Sequence, residues 1–393
     1  MKPRSWHVIT GEYPPQPGGV SDYCEQLAKA LSLAGDQVHV WTAPTVEPSP
    51  PADDSIIVHR LESHFGIDAL RSLGDLIQAC PPPRRVLVQY VANAFGCRAM
   101  NVPFCIWLRR YRADPVWVMF HEYAYRMGWR ARPAVNLLGA VTHVMGSMAA
   151  NRADRIFVST PAWEKRLPFR RGEAIPPTWL PIPSNLPVRV EEAAVAATRQ
   201  RVLGKRVGTI IGHFGTYSPL IRPILAQILP ALLRPYPDRT CLLVGRDSDD
   251  FAREVAARYP EFAHRLVATG GLSRMEASTH LKACDILVQP YPDGATSRRG
   301  SLMAGLALGL PIVTNVGQDT EEIWRREGAV MLADGPSPQA MIAATENLLG
   351  QEQLWKGLSE KAGALYQTEF SLERTVATLR AQAAEEEKGA HRG

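Results

Sequence analysis

The sequence predicts an α/β architecture of two Rossmann-like domains facing each other across a cleft, and three features carry that expectation. Short runs rich in Val, Ile and Leu alternate with helical periods almost from end to end. A proline-rich stretch at 176–190 interrupts the alternation, which then restarts. Each half also holds a glycine-containing loop between a strand and a helix, Gly18-Gly19 in the first and Gly212-His-Phe-Gly-Thr-Tyr-Ser218 in the second. Near-continuous apolar strands joined by helices indicate parallel sheets covered on both faces.

In the first half, strands are expected at 7–10, 38–42, 56–61, 85–90, 116–120 and 155–160. Val20, Leu27, Ala30, Leu31 and Ala34 share one face of a helix over 20–33. The stretch 176–190 can continue neither a helix nor a central strand, and reads as the hinge. Beyond it, strands are expected at 208–214, 240–245, 266–269, 285–291, 311–315 and 329–333. Helices fit at 219–233, 248–258, 274–283, 299–308 and 336–349. The tail 351–388 reads as helix, with its charged run at 385–388 fraying. The expected domains are 1–186 and 187–370, with 371–393 as a closing helix and tail.

Composition narrows the class. At 393 residues, with 46% hydrophobic and 21% charged, the chain suits a soluble protein of two ordinary domains. Arg, Asp, Pro or Gly breaks every apolar run before membrane-spanning length, and the first six residues lack the apolar core of a signal peptide. Six cysteines without C-x-x-C or zinc spacing suit reduced thiols in a cytoplasmic protein. The net charge of +5 is uneven, since residues 98–171 hold thirteen Lys or Arg against four acids. Arg109, Arg110 and Arg112 lie near Trp107 and Trp117 in sequence. Two readings stay open: solvated helix faces, or a basic, aromatic-flanked surface meeting anionic lipid or an anionic acceptor. No nucleic-acid motif accompanies the charge, so nucleic acid is not an expected partner.

The loops carry the chemistry. Gly18-Gly19 opens a helix, where unblocked N–H groups and the helix dipole favour an anion, although such a pair is often only a turn. Gly215 and Thr216 occupy the matching place in the second half. A third loop, 289–301, places Thr296, Ser297, Arg298, Arg299, Gly300 and Ser301 at a helix start. Hydroxyls and guanidiniums there suit a diphosphate or a hydroxyl-rich ligand. The plain alternative is N-capping by Thr296 or Ser297 with exposed arginines.

Five stretches together resemble family-4 glycosyltransferases of the GT-B fold. They are Glu12-Tyr-Pro-Pro-Gln-Pro-Gly-Gly-Val20, His121-Glu122, Trp179-Leu-Pro-Ile-Pro-Ser-Asn185, Ala283-Cys-Asp-Ile-Leu-Val-Gln-Pro290 and Leu306-Ala-Leu-Gly-Leu-Pro-Ile-Val-Thr314. The resemblance spans nearly the whole chain. It implies a nucleotide-activated sugar held mainly by the second domain, an acceptor held mainly by the first, retention of anomeric configuration and no essential metal or cofactor. It also implies a final helix that returns to the first domain, with 372–384 as the candidate. Two departures stand out. Relatives usually carry two glutamates eight positions apart, where an ungapped alignment places Thr296 and Ala304. A short insertion around 297–299 aligns Asp293-Gly294 with the first acid instead, and leaves Ser301 nearest the second. Relatives also place an Arg and a Lys after the first strand of the second domain. Here His213, Gly215, Thr216 and Tyr217 stand there, with Arg222 the nearest cation.

The expected activity is sugar transfer from a nucleoside-diphosphate-sugar to a glycan, lipid-linked or small-molecule hydroxyl. Gly18, Gly19, Gly215, Thr216, Arg222, Arg298 and Arg299 are assigned to the phosphates, with Thr296, Ser297, Gly300 and Ser301 beside them. Asp293 is assigned to sugar hydroxyls and His121 to the neighbourhood of the reacting carbon. Gly270 and Leu272 are assigned to the base. The alternative is a GT-B protein without catalysis that serves as a binding or assembly subunit. Peripheral contact with an anionic membrane through Arg109–Arg112 completes the expectations.

Overall fold

The computed structural model describes residues 4–46, 56–125, 127–129, 131–167, 176–335 and 337–390. Arg126, Arg130, Arg170 and Arg171 of the basic stretch, and the expected helix start at Pro336, lie outside them. The chain forms two compact units, Met1–Pro181 with Thr375–Gly393, and Ile182–Arg374. These divisions stand at 181/182 and 374/375, against 186/187 and 370/371 from the sequence.

The first unit contains strands β1 Ser5–Thr10, β2 Gln37–Thr42, β3 Ile56–Arg60, β4 Arg84–Tyr90, β5 Val116–Phe120, β6 Arg155–Val158 and β7 Thr178–Trp179. Its helices are α1 Gly19–Leu33, α2 Ile67–Gln78, α3 Val102–Arg110, α4 Pro133–Arg152 and the short α5 Pro161–Glu164. The strands pair in the order β3-β2-β1-β4-β5-β6-β7, all parallel. Every residue of β1 and β5 is buried, which explains the unbroken apolar run of β5, whereas β1 also buries Ser5, His7 and Thr10. Ala69, Leu70, Leu73 and Ile77 turn one face of α2 onto a core that holds Phe65, Phe95 and Phe104. Only the two-residue edge strand β7 forms within the proline-rich stretch, as missing N–H groups require.

The second unit contains β8 Ile210–Phe214, β9 Thr240–Val244, β10 Leu266–Ala268, β11 Ile286–Val288, β12 Ile312–Asn315 and β13 Met331–Ala333. Around them lie α6 Glu192–Leu203, α7 Arg222–Leu233, α8 Ser248–Arg258, α9 Arg274–Lys282, α10 Gly300–Ala307, α11 Glu322–Glu327, α12 Pro338–Leu349 and α13 Glu352–Leu365. The order is β10-β9-β8-β11-β12-β13, again parallel throughout. Leu225, Leu229 and Leu233 of α7 pack with Phe251 and Val255 of α8.

The tail departs from the single helix expected. A π-turn at Tyr366–Phe370 separates α13 from the last helix, α14 Leu372–Ala390. Phe370 stacks on Trp324 at 5.4 Å, and the Tyr366 hydroxyl accepts the Ser184 N–H at 3.1 Å. These buried anchors break the helical register. From Thr375 onward α14 belongs to the first unit, and its charged run is helical and paired. Glu386 pairs with Arg85 at 2.7 Å and Glu387 with Arg4 at 2.9 Å. The Arg85 guanidinium lies over the rings of Trp6 and Trp117, at 5.5 and 4.7 Å. Trp117 is wholly buried in this stack and flanks no surface.

Candidate functional site

In the second unit the strand order reverses at β8, whose neighbours are β9 and β11. Loops leaving the carboxyl ends of parallel strands diverge at such a reversal, and the crevice between them is where α/β sheets bind ligands. Here those are the loops after β8 and β11, which hold most of the residues singled out in the sequence.

The β8 loop is fixed by backbone contacts. The Gly215 N–H donates to the Val244 carbonyl at 3.1 Å. At Gly245, with φ of 118°, a Cβ would collide with the Gly215 carbonyl. Tyr217 is left-handed at φ 50°, and its hydroxyl donates to the His213 carbonyl at 3.1 Å. Burial pushes His213 down to about 4, so its imidazole is neutral at pH 7. Arg222 donates to the Tyr217 carbonyl at 2.7 Å and faces Glu254 at 3.3 Å. Its side chain therefore positions the loop that carries Gly215 and the exposed Thr216.

The β11 loop is tied to the segment after β12. Tyr291 N–H donates to the Asn315 side chain at 2.7 Å, and the Asn315 amide donates back to the Tyr291 carbonyl at 2.8 Å. The Ser297 N–H and hydroxyl both donate to the Glu321 carboxylate at 2.6 Å, which also accepts the Trp324 indole N–H at 3.1 Å. Ser297 and Thr296 are buried, and Ser297 serves as a tie within the loop. Asp293 and Arg299, given separate duties by the sequence, form an ion pair with each other. The Arg299 guanidinium also lies 4.9 Å over the Tyr291 ring, and Tyr291 reaches Ser301 at 2.7 Å. Arg299 is the N-cap of α10, and no side chain caps the first turn formed by Gly300 and Ser301. Arg298 is exposed.

Gly270 has φ 63°, donates its N–H to Ser248 at 2.9 Å and accepts the Thr269 hydroxyl at 2.9 Å. Its backbone is thus engaged, leaving Gly271 and the half-buried Leu272 nearer to any base. The stem of exposed Arg246, at the end of β9, lies against Gly271. Sequence reasoning passed over Arg246, Asn315 and Glu321. A cation directly after a strand end was the available signal for Arg246.

In the first unit the order reverses at β1, and Gly18-Gly19 lies in the loop after that strand. Gly18 is the N-cap of α1 and abuts the Glu12 carboxylate, whereas a Cβ at Gly19 would meet open space. Burial raises the Glu12 carboxyl above its usual range; Glu122 reinforces this and His64 opposes it. His121 follows β5, lies edge-on to Tyr23 at 5.0 Å and contacts the Gln89 oxygen through Nε2 at 2.8 Å. Donation from Nε2 leaves Nδ1 as the lone-pair nitrogen. Burial pushes His121 down to about 3, so it too is neutral at pH 7. Among the described residues, His7, His39 and Cys80 alone approach a metal-ligand grouping, and His7 and His39 sit at paired mid-strand positions away from these loops.

Residues 209–351 match the family model described as glycosyl transferases group 1. The second unit carries a glycosyltransferase group 1 domain. No curated protein matches the sequence. Among solved structures, sucrose-phosphate synthase from Thermosynechococcus elongatus superposes with a TM-score of 0.68 at 17% identity, covering 98% of this chain and 100% of that one. HepE of Anabaena, solved in complex with UDP, gives 0.65 at 16% identity over 97% and 100%. The α,α-trehalose 6-phosphate synthase of Burkholderia multivorans gives 0.68 at 13% over 100% and 98%. The fold is GT-B. At these identities the GT-B likeness speaks for the fold, and the chemistry has to be argued from the loops.

Proposed function

We propose that this GT-B protein transfers a sugar from a nucleoside-diphosphate-sugar to an acceptor hydroxyl, with retention of anomeric configuration and without an essential metal. The carrying observation is that the segment matching glycosyl transferases group 1 is the one whose loops diverge at the β8 reversal. HepE was solved with UDP and with UDP-glucose, which favours a uridine nucleotide as the first donor to test.

As the glycosidic bond lengthens, negative charge grows on the departing diphosphate and positive charge on the sugar ring. The diphosphate side is assigned to Arg298, Arg299 and the uncapped first turn of α10, where fixed N–H dipoles stabilise developing charge without reorganising. A phosphate competes with Asp293 for the Arg299 guanidinium, and the released carboxylate is then available to sugar hydroxyls. Gly215 and Thr216 line the same side, held in place by Arg222. Leu272 and Gly271 are assigned to the base. In the first unit, neutral His121 offers Nδ1 to a hydroxyl, and Gly18-Gly19 offers N–H groups to an anion. The departing phosphate accepts the acceptor's proton.

Calorimetric titration with UDP, GDP, ADP and dTDP, with and without EDTA, tests the donor assignment. One nucleotide should bind, equally well in EDTA, and Arg299→Ala should weaken it. Binding by none, or unchanged affinity in both Arg298→Ala and Arg299→Ala, would overturn the assignment. Nucleotide binding without any hydrolysis or transfer of the matching sugar nucleotide would favour a non-catalytic binding subunit. The product's anomeric configuration, read by NMR, tests retention.

A further inference from the structure

Between Pro133 and Asn151, α4 carries no charged residue. One face buries Met145, Ala149 and Ala150 in the core of the first unit. A helix whose other face meets water ordinarily carries charge there. Here that face shows Leu137 and Val144, 62% and 55% exposed. The preceding segment enlarges the surface. Asn136 exchanges two hydrogen bonds with Gly128, at 3.0 and 3.1 Å, and holds 127–129 beside the helix. Met127 is half exposed and Trp129 is wholly exposed there.

Arginines lie at both ends of this apolar area. Exposed Arg132 caps α4. The neighbouring α3 packs on α4 and ends in exposed Arg109 and Arg110. Residues 98–152 contain only two acids, and one of them, Asp114, is buried against Arg84. Apolar side chains with a tryptophan at their tip, set among arginines and almost without acids, match an anionic bilayer. Apolar groups enter the acyl boundary while guanidiniums meet headgroup phosphates. Among the described residues, no helix is long and apolar enough to cross a membrane.

We propose that the outer face of α4, together with 127–129, docks this protein on an anionic phospholipid bilayer. The segment leaves the carboxyl end of β5 directly after His121, so docking presents a lipid-borne hydroxyl to the acceptor side of the first unit. Only that choice of acceptor rests on the proposed function.

Flotation of the full chain with vesicles tests the surface. Vesicles containing about one-third phosphatidylglycerol should bind it about tenfold more tightly than pure phosphatidylcholine, and high salt should weaken the binding. The double variant Leu137→Glu/Val144→Glu should lose at least about tenfold. Leu33→Glu, an exposed leucine on α1, should retain it. Thermal melting of each variant checks folding. Failure of the native chain to float with anionic vesicles, or equal flotation of the double variant, would overturn the proposal. A native dimer dissolved by the double substitution would also overturn it, by assigning the face to a second copy. Nucleotide titration of the same samples keeps the two readings apart: loss of one result leaves the other standing.

Discussion

Acidification should destabilise the first unit, and the effect can be worked from two imidazoles. Burial pushes His7 and His121 from 6.5 to about 3, and His39 and Arg84 add charge repulsion at His7. Between these limits only the unfolded chain binds the protons. Stability is therefore whole above about pH 6.5 and falls as pH drops towards about 3. Each site loses roughly 1.4 kcal/mol per pH unit, so at about pH 5 the two together lose about 4 kcal/mol. Glu12 works the other way, since its raised carboxyl lets the folded state take up a proton first. Urea unfolding followed by tryptophan fluorescence is the assay, because seven of the nine tryptophans belong to the first unit. His7→Gln and His121→Gln should each lessen the slope, while His59, pushed down to about 4, and the lowered His39 supply the remainder. A flat native profile between about pH 5 and 6.5, or an undiminished slope in the double variant, would refute the reasoning.

The remaining predictions concern the loops of the second unit and the last helix. Glu321→Ala removes the buried carboxylate that accepts from Ser297 and Trp324, and should cost about 2–4 kcal/mol in a thermal or urea melt; an unchanged melt sinks that tie. Gly245→Ala forces a Cβ into the Gly215 carbonyl and should reduce both stability and nucleotide affinity, whereas a native-like titration would show that the loop can yield. Asp293→Ala frees Arg299, so nucleotide affinity should hold or rise while sugar transfer falls; parallel loss of both contradicts the proposed exchange of partners. Glu386→Ala leaves the 7%-exposed Arg85 without its closest carboxylate and should cost about 1–3 kcal/mol; no change would mean that the aromatic stack alone suffices.

The sheets were legible because strands buried on both faces are mostly apolar, wholly so in β5 and over four of the five residues of β9. The glycine loops were legible for a related reason: Gly215 and Gly18 stand where a strand passes into a helix. What escaped depended on partners distant in sequence. Ser297 reads as a ligand hydroxyl until Glu321, 24 residues later, claims it. Asp293 and Arg299 read as independent charges, although six residues and a turn bring them together. Trp117 looked like an aromatic neighbour of the arginines because sequence proximity does not reveal that both faces of β5 are covered. The acidic run 385–388 looked solvated, since nothing local announces Arg4 and Arg85.

The debt that Arg4 and Arg85 owe to Glu386 and Glu387 bears on synthesis at the ribosome. Residues 1–181 emerge first, yet they hold two guanidiniums whose counter-charges are still some two hundred codons away. The contiguous second unit, Ile182–Arg374, meets no such delay and can close as soon as it is made. The half translated first is thus the half completed last, and a nascent chain that stalls late should leave a finished second unit attached to an unfinished first.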